Sequence, residues 1–130
     1  VTVAAERAIR IEADGVRVYA ILDGSPTADA VWDALPLKGT AQRWGEEVYF
    51  EVPLELPLEK RARTEAAVGE IGYWPEGRAI ALFFGPTPAS TGSSPVAASP
   101  VNVFGRITGD ATRLTRVRPG TGLKMTGLEG

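Results

Sequence analysis

What most constrains this chain is a two-residue rhythm that recurs along it, broken by turn signals. Ile9 and Ile11 alternate with Arg10 and Glu12, and Asp14-Gly15 then supplies a hairpin signal. After it Val16, Val18, Ala20 and Leu22 share one face, while Arg17, Tyr19, Ile21 and Asp23 share the other. A third stretch sets Glu46, Val48, Phe50 and Val52 against Glu47, Tyr49 and Glu51. Successive side chains of a strand point to opposite faces, so each stretch predicts a strand with one buried side. Further strands are predicted over Arg78–Phe84, Val101–Ile107 and, more weakly, Leu123–Leu128. One segment has a helical rhythm instead. Ser25 can cap it, Pro26 suits its first turn, and Ala28, Val31, Trp32 and Leu35 recur at helical spacing before Pro36 stops it. A second helical turn is expected after Asp110. Six or so strands with one or two short helices predict a mostly-β barrel or sandwich, not an alternating α/β fold.

Composition removes whole classes of chemistry. At 130 residues the expectation is a single domain over 1–130 with one core. A net charge of −2 argues against a nucleic-acid partner, because duplex affinity comes mainly from neutralising phosphates. Lys60-Arg61-Ala62-Arg63 is the one basic cluster, and Glu59 and Glu65 bracket it as in a solvated charged face. No apolar run reaches bilayer length, so we expect no membrane partner and a cytoplasmic location. The chain has no cysteine, which excludes disulfides and thiolate chemistry, and no histidine, the usual proton shuttle and commonest metal ligand. No cofactor or metal is expected. Asn102 and Gln42 are the sole side-chain amides, a depletion that fits a heat-stable protein.

The chemistry-bearing residues cluster in aromatic and proline strings: Arg43-Trp44-Gly45-Glu46-Glu47-Val48-Tyr49-Phe50, Gly72-Tyr73-Trp74-Pro75-Glu76-Gly77, Phe83-Phe84-Gly85-Pro86-Thr87-Pro88 and Pro100-Val101-Asn102-Val103-Phe104-Gly105. Trp74-Pro75-Glu76-Gly77 is first a turn, with glycine taking the positive dihedral. Tyr73 and Trp74 beside it either plug the end of the sheet or wall a ligand pocket. By parity Glu46 falls on the apolar face with Val48 and Phe50, and Glu47 points outward. An acid so placed has a raised pKa unless a cation such as Arg43 pairs with it. Pro86–Pro100, with four prolines and four serines, is expected to be a long loop whose Thr87 and serines could contact a polar ligand. Serine nucleophiles need an activating base, and the only amines are Lys38, Lys60 and Lys124, which argues against a hydrolase. Asn102, beside Phe104, is either a satisfied structural amide or a ligand contact.

Together these strings resemble the small prokaryotic cyclophilin-like domains, along nearly the whole chain. The resemblance implies a closed, mostly antiparallel barrel with the Ser25–Leu35 helix over one end. True cyclophilins carry an apolar proline pocket beside an arginine, with a histidine, a glutamine and aromatic walls. Leu82-Phe83-Phe84-Gly85 is similar to their Gln-Phe-Phe-Ile string, so Phe84 corresponds to a pocket phenylalanine while Leu82 replaces the glutamine. Val103-Phe104-Gly105 matches their Val-Phe-Gly strand, but Val101 stands where the histidine would be, and Arg43 is the sole candidate for the arginine. Without a matched arginine, differential binding of a twisted X–Pro amide has no evident source, so proficient isomerase activity is not expected.

The expectation is therefore a cyclophilin-like barrel that binds a small molecule or short peptide. Trp44, Tyr49, Tyr73, Trp74 and Phe84 would be the apolar walls, with Arg43, Glu46, Thr87 and Asn102 as polar contacts. The alternatives are a weak peptidyl-prolyl isomerase and a homodimeric interaction module whose aromatics form the interface.

Overall fold

The computed structural model describes residues 7–128. The first hairpin follows from its turn. β1 (Arg7–Ala13) and β2 (Val16–Leu22) pair antiparallel, Ile11 opposite Val18, across Asp14 and Gly15, whose φ angles of 50° and 76° are the two positive values that a tight two-residue turn needs. Helix α1 (Pro26–Ala34) starts where expected: the Ser25 hydroxyl accepts from the Ala28 amide at 3.1 Å, and Pro26 occupies the first turn. It buries Thr27, Ala28 and Val31.

The remaining strands are β3 (Leu37–Thr40), β4 (Gln42–Arg43), β5 (Glu47–Glu51), β6 (Arg63–Glu65), β7 (Glu70–Trp74), β8 (Ala79–Phe83), β9 (Val96–Thr108) and β10 (Gly122–Gly127), with a 3₁₀ helix (Ala111–Arg116) before the last. Asp110 caps that short helix by accepting from the Thr112 amide at 3.0 Å, as the expected turn after Asp110 requires. Strands run β3-β10-β1-β2-β9-β7-β8-β5-β4, all neighbours antiparallel, with β6 added separately to β9.

The mostly-β expectation holds, but the barrel is not closed by hydrogen bonding. The ladder has two ends, β3 and β4. They are consecutive in the chain, separated only by Ala41, so the sheet must curl to bring them together. Close packing takes the place of a ladder at the seam: a Cβ on Gly39 of β3 would lie 2.9 Å from Phe50 Cδ2 and 3.1 Å from the Glu51 carbonyl on β5.

The curled sheet encloses the main core, in which Ile9, Ile11, Phe50, Ile71, Tyr73, Leu82, Phe104 and Met125 are fully buried. A second, smaller cluster of Ala66, Ala81, Phe83, Ala97 and Val101 forms on the opposite face of β5, β7 and β8. Tyr49, Trp74 and Val103 pack against it. These three strands are thus buried on both sides, with Val48, Phe50, Ile80 and Leu82 toward the main core and Glu47, Tyr49, Ala81 and Phe83 away from it.

Candidate functional site

The second face carries the candidate site. A cavity of about 230 Å³ is lined by Trp44, Glu47, Tyr49, Trp74, Ala81, Phe83, Ala97, Ala98 and Val101. Strand register builds it. Glu47 pairs with Phe83 and Tyr49 with Ala81 across β5 and β8, which sets an acid and a ring over a phenyl and a methyl. Trp74, at the end of β7, meets Tyr49 edge to face, with centroids 6.3 Å apart and planes at 87°. The Trp74 indole N–H donates to Ser99 Oγ, which in turn donates to Glu76 Oε2 at 3.0 Å. The first half of β9 brings Ala97, Ala98 and Val101, so the floor at Ala81 and Ala97 holds only methyl groups. Trp44, Tyr49 and Trp74 are half-buried and open the cavity to solvent.

Glu47 is the one ionisable acid on this wall and is only 6% exposed. Burial pushes its carboxyl up to about 7, and no cation or hydrogen-bond donor among the described residues offsets that burial. The parity of Glu47 holds, but its reading as a solvent-facing residue is corrected here. Glu47, expected outward, is the buried acid, whereas Glu46 is half-exposed, outside β5, and folded over Gly85. Glu47 lies on the face away from Val48 and Phe50, as its parity predicts, and the second cluster covers that face. Gly45 sets Glu46 apart: its φ of 60° turns the chain between Trp44 and Glu46, and any Cβ there would lie 2.8 Å from Pro88 Cδ, so Glu46 stands before the strand begins.

Of the nine residues proposed from sequence, Trp44, Tyr49 and Trp74 come together on the cavity. The others lie elsewhere. Tyr73 is fully buried in the main core, its hydroxyl donating to the Leu54 carbonyl and accepting from the Leu56 amide at 3.2 Å. It therefore ties down the segment that follows β5. Phe84 also belongs to the main core, and its neighbour Phe83 lines the cavity instead. Arg43 lies over the Phe84 ring, its guanidinium carbon 5.0 Å from the centroid. It donates to the carbonyls of Gly45, Thr115 (3.1 Å) and Val117 (3.0 Å), which staples β4 to the end of the 3₁₀ helix. Thr87 is buried and donates to the Val96 carbonyl while accepting from the Ala89 amide at 3.2 Å, which pins the base of the Pro86 loop. That loop is shorter than expected, because Val96–Pro100 already belong to β9. Asn102, 1% exposed, accepts from the Glu59 amide at 2.8 Å and donates to the Pro57 carbonyl at 2.9 Å and to Thr27 Oγ1 at 3.1 Å. It joins β9, α1 and the 57–59 segment. Thr27 itself donates to Glu59 through both its amide and its hydroxyl.

One signal could have found the missed residues. Tyr49, Ala81 and Phe83 are apolar on the face read as outward, and a strand pair apolar on both faces is covered on both. The turn after Trp74 is also corrected. Its positive φ of 47° belongs to Arg78, not Gly77. Gly77 is required instead by the Trp74 ring, which a Cβ would meet at 2.4 Å.

Residues 7–126 match the family described as cyclophilin-like. The chain belongs to that family. Among solved structures it is similar to the solution structure of the hypothetical protein AF2241 from Archaeoglobus fulgidus, with 35% identity over 93% of this chain and 94% of that one and a TM-score of 0.78. It is also similar to a structure of McbB in complex with tryptophan, at 15% identity and a TM-score of 0.72. That match spans 91% of this chain and 44% of McbB, and at such low identity the likeness shows the fold. No curated protein matches the sequence.

Proposed function

We propose that this cyclophilin-like domain binds a small molecule in the cavity of Trp44, Glu47, Tyr49, Trp74 and Phe83, and is not a proficient prolyl isomerase. The observation that carries the reading is an open, aromatic-walled cavity with a single buried acid at its side, the usual form of a small-ligand site: mostly apolar, with few polar groups to fix orientation. Size favours a small molecule over a peptide. An apolar cavity of about 150 Å³ takes a benzene, and drug-sized ligands occupy about 300–1,000 Å³. A space of about 230 Å³ therefore suits a compound with one ring or a compact pair of rings. McbB, of the same fold, is described in complex with tryptophan, which is consistent with an aromatic guest on this scaffold.

Two observations speak against an isomerase. No arginine lines the cavity, and Arg43 is committed to three backbone carbonyls. A dimerisation role has less support, since the large exposed apolar side chains among the described residues, Tyr19, Leu58 and Val68, come from three separate segments. Two NMR measurements test the reading. A fragment library is expected to shift the Trp44 and Trp74 indole signals, while exchange spectroscopy on X–Pro peptides is expected to show no acceleration of cis/trans exchange. Accelerated exchange, or fragment shifts confined to residues outside the cavity, would overturn it.

A further inference from the structure

The cavity's polar chemistry specifies the charge of its guest. Glu47 is more than nine-tenths buried, lines the cavity, and has neither a cation nor a hydrogen-bond donor beside it among the described residues. A carboxylate set in a largely apolar wall with no protein partner, facing the cavity, is costly, and charges so placed are ordinarily paired. The described residues do not supply the partner: β7, β8 and β9 contribute no ionisable side chain to the wall, Tyr49 is its only other titratable group, and Arg43 is turned to the carbonyls of Thr115 and Val117. Around the acid stand Trp44, Tyr49 and Trp74, the last two at right angles. Electron-rich ring faces beside a carboxylate favour a positive guest twice over, through the counter-ion and through cation–π attraction.

Resting on the binding reading above, we propose that the cavity's ligand is a small organic ammonium ion, an amine carrying an apolar or aromatic group, with the Glu47 carboxylate as its counter-ion. The ammonium group would donate to Glu47 while its apolar group lies on Phe83 and the alanine floor. A carboxylate ligand would be repelled. A neutral hydrogen-bond acceptor would find a donor at Glu47 only in its protonated form.

The test uses three ligands that share a phenethyl group and differ in charge: phenethylammonium, N-acetylphenethylamine and 3-phenylpropionate. They are titrated at about pH 8, above the Glu47 midpoint of about 7, against ¹⁵N-labelled protein. Trp44 and Trp74 report on the cavity, and Trp32, packed on the main core, is the internal reference. Phenethylammonium is expected to bind at least about tenfold more tightly than either analogue. Glu47→Gln is expected to remove that preference while N-acetylphenethylamine binding is retained. If the N-acetyl compound matches the ammonium, or if the preference survives in E47Q, the charge assignment is overturned and the small-molecule reading stands. If none of the three moves the Trp44 and Trp74 signals at tens of millimolar, both fall together.

Discussion

Replacing Glu47 by glutamine should stabilise the free protein above neutral pH and change little in acid. Burial moves this carboxyl from its ordinary 4.5 to about 7 in the folded state. At about 1.4 kcal/mol per pH unit, that displacement corresponds to about 3 kcal/mol. The sign follows from proton counting. Between about pH 4.5 and 7 the folded state holds a proton that the unfolded chain has released, so stability falls as pH rises through that window and is level above it. Glutamine cannot ionise, so E47Q escapes the loss. Urea denaturation followed by far-UV circular dichroism, run on both proteins from about pH 4 to 8.5, isolates the effect, since every other titrating group is common to the two. The midpoints should nearly coincide at the acid end and separate by an amount approaching 3 kcal/mol at the basic end. A ¹³C titration of the Glu47 carboxyl should show its midpoint near 7. A pH-independent difference, or an E47Q protein weaker than the parent at pH 8.5, would refute the claim that this acid is buried without a partner.

Arg43→Ala should cost about 2 kcal/mol, because charged hydrogen bonds to the Thr115 and Val117 carbonyls are lost. Hydrogen exchange should quicken in the 3₁₀ helix, and unchanged stability would contradict the staple. Asn102→Ala should cost about 3 kcal/mol or more by chemical denaturation, since it leaves the Glu59 amide and the Pro57 carbonyl without the partners they now have. The Asp14 carboxyl, held by the Arg118 side chain and amide, should titrate at about 2 by NMR, and its stabilising contribution should be lost only as pH falls from about 3.8 through that value. In Arg118→Ala that midpoint should return toward the ordinary carboxylate range.

Much of the architecture was legible because local chemistry and global packing agree. Asp14-Gly15 can take the two positive φ angles of its turn, and Ser25-Pro26 can start a helix wherever it is placed. The alternating runs became β1, β2, β5, β8, β9 and β10. Short β3, β4 and β6 were not legible, because two to four residues carry no period and exist as strands only through their neighbours. The candidate site was half legible. Trp44, Tyr49 and Trp74 were identified by size and position, but Glu47 was passed over because its face was read as meeting water, and Glu46 lies outside the strand. Phe83 was passed over for the same reason, while Phe84 keeps the core-facing parity it shares with Ile80 and Leu82. Parity decides which face a residue takes, and it says nothing about whether that face meets water or another layer.

The floor of methyl groups has a consequence for how such domains diverge. Ala81 and Ala97 occupy strand positions where valine or isoleucine would be at least as favourable to the sheet. The cavity is therefore a mould of side-chain atoms that these positions lack, and none of the main core need move to change its shape. Valine at 81 would shallow it and at 97 would narrow it, each on the face away from Phe50 and Leu82. If the cavity takes a guest as proposed, its size can change by single substitutions without refolding the scaffold, and domains with one backbone and different side chains at these positions should prefer different molecules.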